Sequence, residues 1–117
     1  MYQFGVECLN TGRFDTEVPR IFLKAVWDIG SELDNWRDAY RRAGTYEKMQ
    51  TLFEGMLNDL TRARWQDYWK SAYAMVAWAA GRYEDSRKLF DELGDNIYMP
   101  IFAEFNTKRV YVFKEIY

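Results

Sequence analysis

An internal repeat constrains the architecture of this chain more than any other feature. Residues 43–56 read AGTYEKMQTLFEGM and residues 80–93 read AGRYEDSRKLFDEL, so six residue types coincide without a gap at an offset of 37 residues. A fainter copy of the turn stands at residues 11–15, TGRFD. Sequence periods of about 20–50 residues are typical of stacked repeats, because a single unit cannot bury its apolar face alone. Each copy follows one apolar pattern and precedes another, which predicts a unit of helix, glycine turn and helix.

The apolar residues around these turns have helical spacing. Residues 61–80 place aromatic and small apolar side chains at i, i+3 and i+4, and from Ala72 onward the other faces are apolar too. A helix that is apolar all round is buried on several sides, so this helix is expected at the centre of the molecule. Pro19 is expected early in a helix that runs to about Ile29, because a missing amide hydrogen costs little there. A further helix is predicted from about Ser31 to Gly44.

The repeated residues resemble the tetratricopeptide (TPR) helical repeat. In that family a small residue ends the first helix, an aromatic residue opens the second, and another aromatic residue packs back later in it. The residues that match this pattern are Gly44, Tyr46 and Phe53 in one unit and Gly81, Tyr83 and Phe90 in the next. Two departures are Arg37 and Met49, which stand where the family has small residues, and the offset of 37 exceeds the usual period of about 34.

The resemblance implies an all-α fold in which antiparallel helical hairpins stack as a short TPR-like array. We expect a single domain over residues 1–117, with repeat units at about 31–60 and 61–97 and partial units at both ends. In both complete units the tyrosine should lie at the start of the second helix, and Phe53 and Phe90 should both be buried.

The composition argues against catalysis and against a metal site. The chain has no histidine, which removes the commonest general base and the commonest metal ligand. Its one cysteine, Cys8, is interpreted as a packing residue, and a lone cysteine fits a reducing compartment. The acidic residues lack the spacing of a calcium loop, and no glycine-rich phosphate loop occurs. The sequence therefore predicts a non-enzymatic, cytoplasmic protein without a cofactor or a metal.

The resemblance also implies a binding surface, because the first helices of successive TPR-like units line a groove that captures peptides or partner helices. The predicted partner is therefore a protein or a peptide. One wall of the groove is expected to be charged, and the other is expected to be aromatic and to contain methionine. An alternative remains open, in which neighbouring helices cover the methionine and the tryptophan of the second wall. The predicted partner-binding residues are Asp34, Asp38, Arg41, Arg42, Tyr68, Ser71, Met75 and Trp78.

A second hypothesis is a small RNA- or anion-binding helical protein that uses residues 62–70. Bases can stack on aromatic side chains interleaved with basic ones. The net charge of −2 is spread evenly, however, so no broad field attracts phosphate, and nucleic acid is the less favoured partner. No segment is long and apolar enough to predict a membrane span. The residues that carry this alternative are Arg62, Arg64, Trp65, Tyr68, Trp69 and Lys70.

The last residues are expected to form the first helix of a third unit. Apolar side chains between residues 100 and 117 lie close to a helical stripe, and the chain stops before a second helix could cover it. Terminal repeats generally need a polar capping face. We therefore expect this stripe to contact either a missing segment or a second copy of the chain in a homodimer. The candidate subunit contacts are Phe105, Val112 and Tyr117.

Overall fold

The protein is described here by a computed structural model, which covers residues 2–14, 16, 18–59 and 65–100. In these ranges the regular structure is helical and no strand occurs, which confirms the predicted all-α class. Within the described ranges the helices are α1 (Tyr2–Asn10), α2 (Arg20–Ser31), α3 (Asp38–Arg41), α4 (Thr45–Asn58), α5 (Gln66–Ala79) and α6 (Tyr83–Leu93). A 3₁₀ turn, Gly94–Asn96, follows α6.

Glycines with left-handed backbone conformation follow α1, α3 and α5. Gly12, Gly44 and Gly81 have φ angles of 67°, 82° and 80°. Glycine adopts a positive φ without the steric cost that a Cβ atom brings, so it suits a chain reversal between two helices. Each glycine thus lies between two consecutive helices, and α1 packs on α2 and α5 on α6. The two repeat glycines, Gly44 and Gly81, therefore mark corresponding turns, while Gly12 marks a turn that precedes its following helix by several residues.

Helix α5 lies at the centre, as the sequence predicts. Every residue from Ser71 to Ala77 is buried, and α5 contacts α3, α4 and α6. On the α4 side, the ring of Phe53 stacks on Tyr73 with centroids 5.2 Å apart and lies 6.3 Å from the ring of Trp69. On the α6 side, the Ser86 hydroxyl donates to the Ala74 carbonyl at 2.9 Å. The rings of Phe53, Trp69 and Tyr73 therefore fill the space between α4 and α5.

The helix predicted from Ser31 to Gly44 is mostly wrong. Helix α2 continues to Ser31, residues 32–37 are irregular, and only Asp38–Arg41 is helical. Local side-chain hydrogen bonds explain the difference, since they compete with helical ones. The Ser31 hydroxyl donates to the Asp28 carbonyl at 2.7 Å, and the Asn35 side-chain oxygen accepts the Arg37 amide hydrogen at 3.1 Å.

The two repeat units are equivalent in position but not in burial. Tyr46 is the second residue of α4 and is buried, whereas Tyr83 is the first residue of α6 and is 54% exposed. Phe53 is fully buried as predicted, but Phe90 is only half-buried, so the prediction of full burial is wrong there. Helix α4 contacts α1, α2, α3 and α5, while α6 packs mainly on α5. The difference in burial follows from this difference in neighbours.

Candidate interaction surface

Two of the predicted groove residues are not on the surface. Ser71 is fully buried, and its side-chain oxygen accepts the Tyr98 amide hydrogen at 2.9 Å. Met75 is 1% exposed in the apolar core. The prediction that they line an open groove is wrong, because helices on several sides of α5 cover the face to which they belong. For Met75 the alternative of coverage by neighbouring helices is the correct one.

The other predicted groove residues do not form one surface. Asp34 and Asp38 are exposed, and within the described ranges neither carboxylate forms an ion pair. The Arg42 guanidinium lies 5.3 Å from the ring centroid of Tyr2, on α1. Tyr68 is half-buried near the start of α5, where its ring packs edge-on against Trp69 and Tyr98. Trp78 lies ten residues further along α5, and at about 1.5 Å of rise per residue the two side chains are about 15 Å apart along the helix axis.

Arg41 lies at the corner where α3 meets the end of α5, and it contacts the residue that follows Trp78. The Arg41 Nε donates to the Ala79 carbonyl at 3.0 Å, and its Nη2 lies 3.5 Å from the Tyr83 hydroxyl. The Arg37 guanidinium carbon lies 4.5 Å from the ring centroid of Trp78. We name Arg37, Arg41, Trp78 and Tyr83 the corner cluster. A cation near the last carbonyls of a helix is favourable, so Arg41 also stabilises the end of α5.

Next to the corner cluster, the first turns of α4 and α6 are joined directly. The Tyr46 hydroxyl donates to Asp85 at 2.8 Å, and Arg82 pairs with Glu47 at 3.1 Å. The same Arg82 guanidinium lies 4.9 Å from the ring centroid of Tyr46. Burial, followed by the hydrogen bond to Asp85, raises the pKa of Tyr46 well above its usual range. These partners are 35 and 39 residues apart, close to the repeat offset of 37, so equivalent turns lie side by side.

Sequence reasoning identified half of the corner cluster. Arg41 and Trp78 were among the predicted residues, whereas Arg37 was interpreted as a departure from the family pattern and Tyr83 as the aromatic residue that opens the second helix of its unit. One signal for Arg37 was available, because in the helix predicted over residues 31–44 it precedes Arg41 by four residues, and residues at that spacing share a helix face. No sequence signal distinguished the exposed Tyr83 from the buried Tyr46.

The described residues of the RNA- or anion-binding alternative differ in their surroundings. Trp69 is 3% exposed, and the Arg20 guanidinium lies 5.2 Å from its ring centroid. Lys70 pairs with Glu92 at 3.4 Å. Trp65 is 53% exposed. Arg62 and Arg64 lie outside the described residues, as do the candidate subunit contacts Phe105, Val112 and Tyr117.

Within the described residues, no group of three or more cysteine and acidic side chains could hold a metal ion, and Cys8 is buried. Among the same residues, no helix combines the length and the apolar character that crossing a membrane requires. In the comparisons with known proteins, the chain matches no family model, and no curated protein or solved structure is significantly similar to it.

Proposed function

We propose that this chain is a non-catalytic, cytoplasmic interaction module of TPR-like helical-repeat type that binds a protein or a peptide. The observation that carries the proposal is the corner cluster. It combines a 54% exposed tyrosine, a half-buried tryptophan and two arginines. Tryptophan, tyrosine and arginine are the residue types that contribute most of the binding energy at protein interfaces.

The arrangement of the helices supports this proposal. The corner cluster is built from α3, α5 and α6, and contacts to a backbone carbonyl and to an indole ring hold its arginine side chains. Side chains that are already fixed lose little conformational entropy on binding, so more of the contact energy appears as affinity. The adjacent bonds between Tyr46 and Asp85 and between Arg82 and Glu47 hold the two turns together. The surface is therefore preorganised for a partner.

The titratable side chains support a non-catalytic role. Histidine is absent from the chain, and the one cysteine is buried. The corner cluster itself consists of two cations and two aromatic rings, which suits recognition better than proton transfer.

Selection of binders from a displayed random peptide library tests the proposal, followed by calorimetric titration of the best peptides. Tyr83→Ala should weaken binding about tenfold or more, as expected for an aromatic hot spot. Phe4→Ala is the matched control, because Phe4 is 55% exposed on α1, away from the corner cluster. Failure to select any peptide, or an equal loss of affinity in both variants, would contradict the proposal.

A further inference from the structure

The arginines of the corner cluster are held differently from the ion-paired basic side chains of the described ranges. Lys24, Lys70 and Arg82 each pair with a carboxylate, at 3.3, 3.4 and 3.1 Å. In the described ranges, neither Arg37 nor Arg41 pairs with an acidic side chain. Neutral groups hold them instead, an indole ring for Arg37 and a backbone carbonyl for Arg41. Their positive charges are therefore not neutralised by a neighbouring side chain.

Both guanidiniums keep hydrogen-bond donors available for a ligand. A guanidinium that stacks on an aromatic face still directs its donors outward in its own plane, which matches a carboxylate. Arg37 lies over Trp78, and its buried Nε has no acceptor within the described structure, so its remaining donors are on the two terminal nitrogens. Arg41 uses Nε for the Ala79 carbonyl, and its contact with the Tyr83 hydroxyl is long at 3.5 Å. The terminal nitrogens of both guanidiniums can therefore still donate hydrogen bonds to a ligand.

The nearby acidic residues do not supply that acceptor. Asp34 and Asp38 are exposed and close in sequence, yet neither reaches a guanidinium within ion-pair distance in the described structure. Glu47 and Asp85 are occupied by Arg82 and by the Tyr46 hydroxyl. An external carboxylate would therefore not have to displace an existing ion pair from either guanidinium. Beside the Arg41 guanidinium, the exposed ring of Tyr83 offers an apolar contact to the same ligand.

We propose that the partner of the corner cluster is an acidic peptide segment. Its carboxylate side chains bind the terminal nitrogens of Arg37 and Arg41, and a neighbouring apolar side chain packs on the ring of Tyr83. This inference rests on the proposed function and adds the chemical class of the ligand. Charge-assisted hydrogen bonds of this bidentate kind are stronger than neutral ones and add geometric specificity.

Two displayed random peptide libraries test the inference on the full chain. One library contains all residue types, and the other excludes aspartate and glutamate. We expect binders from the first library only, and we expect replacement of their carboxylates by amides to weaken binding about tenfold or more. Arg37→Lys and Arg41→Lys keep the charge but lose the planar fork, and each should also weaken binding about tenfold. Arg20→Lys is the matched control, because Arg20 also lies over an indole ring, that of Trp69, nine residues from Trp78 along α5, and it should leave affinity unchanged.

The outcomes separate this inference from the proposed function. Binders that arise equally from the acid-free library, or that are insensitive to both cluster variants, would overturn the acidic-peptide inference and leave the interaction module intact. An absence of binders from both libraries would overturn both proposals. Thermal unfolding of each variant shows whether it folds, and if Arg41→Lys loses its structure through the bond to Ala79, Arg37→Lys and the amide-substituted peptides still decide the result.

Discussion

Replacing Phe53 by alanine removes the ring that lies between α4 and α5. The Phe53 side chain is fully buried, stacks on Tyr73 at 5.2 Å with an angle of 15° between the ring planes, and contacts Trp69 at 6.3 Å. Loss of a buried phenylalanine removes its transfer free energy and leaves a cavity, which together cost about 3–5 kcal/mol. We expect Phe53→Ala to lower the free energy of unfolding by about 4 kcal/mol, because the ring is enclosed and also loses its aromatic partners.

The equivalent substitution in the second unit is a built-in comparison. Phe90 occupies the same place in the repeat, but it is only half-buried. Phe90→Ala should therefore cost about half as much, roughly 2 kcal/mol. Urea unfolding followed by circular dichroism measures both values. With a slope of about 2 kcal/mol per molar urea, the midpoints should fall by about 2 M and 1 M. Equal losses, or a larger loss for Phe90→Ala, would refute the assignment of the core to the α4–α5 interface.

Three further predictions concern a turn glycine, a buried hydrogen bond and the buried tyrosines. Gly81→Ala should lower the free energy of unfolding by about 1–2 kcal/mol in a thermal melt, because φ is 80° there and a Cβ atom would meet nothing within 4 Å, so only backbone strain changes. Ser86→Ala should cost about 1 kcal/mol in the same assay, because the buried bond to the Ala74 carbonyl is lost. The contribution of Tyr40 and Tyr46 to stability should be constant below the ordinary tyrosine pKa of 10.0 and should fall as the pH rises above it, since their raised pKa values favour the protonated form in the folded state. Urea titrations at rising pH measure this loss, and Tyr46→Phe should reduce its slope.

The sequence was informative wherever the local pattern and the tertiary packing agree. The all-round apolar character of residues 72–80 identified α5 as central, and the glycines of the repeat identified two turns, because both signals depend on short segments. It failed at residues 32–37, where the hydrogen bonds of Ser31 and Asn35 compete with the helix.

The candidate site was harder to predict than the fold. Ser71 and Met75 were assigned to a groove because α5 is the first helix of its unit, but the neighbours of α5 decide which of its faces is open. Arg37 and Tyr83 were missed for a related reason. Their role depends on contacts across the corner between α3, α5 and α6, and residues 37 and 83 are far apart in sequence. Periodicity within one helix carries no information about such contacts.

A crystal structure of the full chain with a library-selected peptide tests the central claim most directly, because it locates the partner on the surface. We predict that carboxylate oxygens of the peptide lie within about 3 Å of the terminal nitrogens of Arg37 and Arg41, the usual length of a charge-assisted bond. An apolar side chain of the peptide should contact the ring of Tyr83. A peptide bound elsewhere, for example over the exposed face of α1 with both arginines free of contact, would contradict the account.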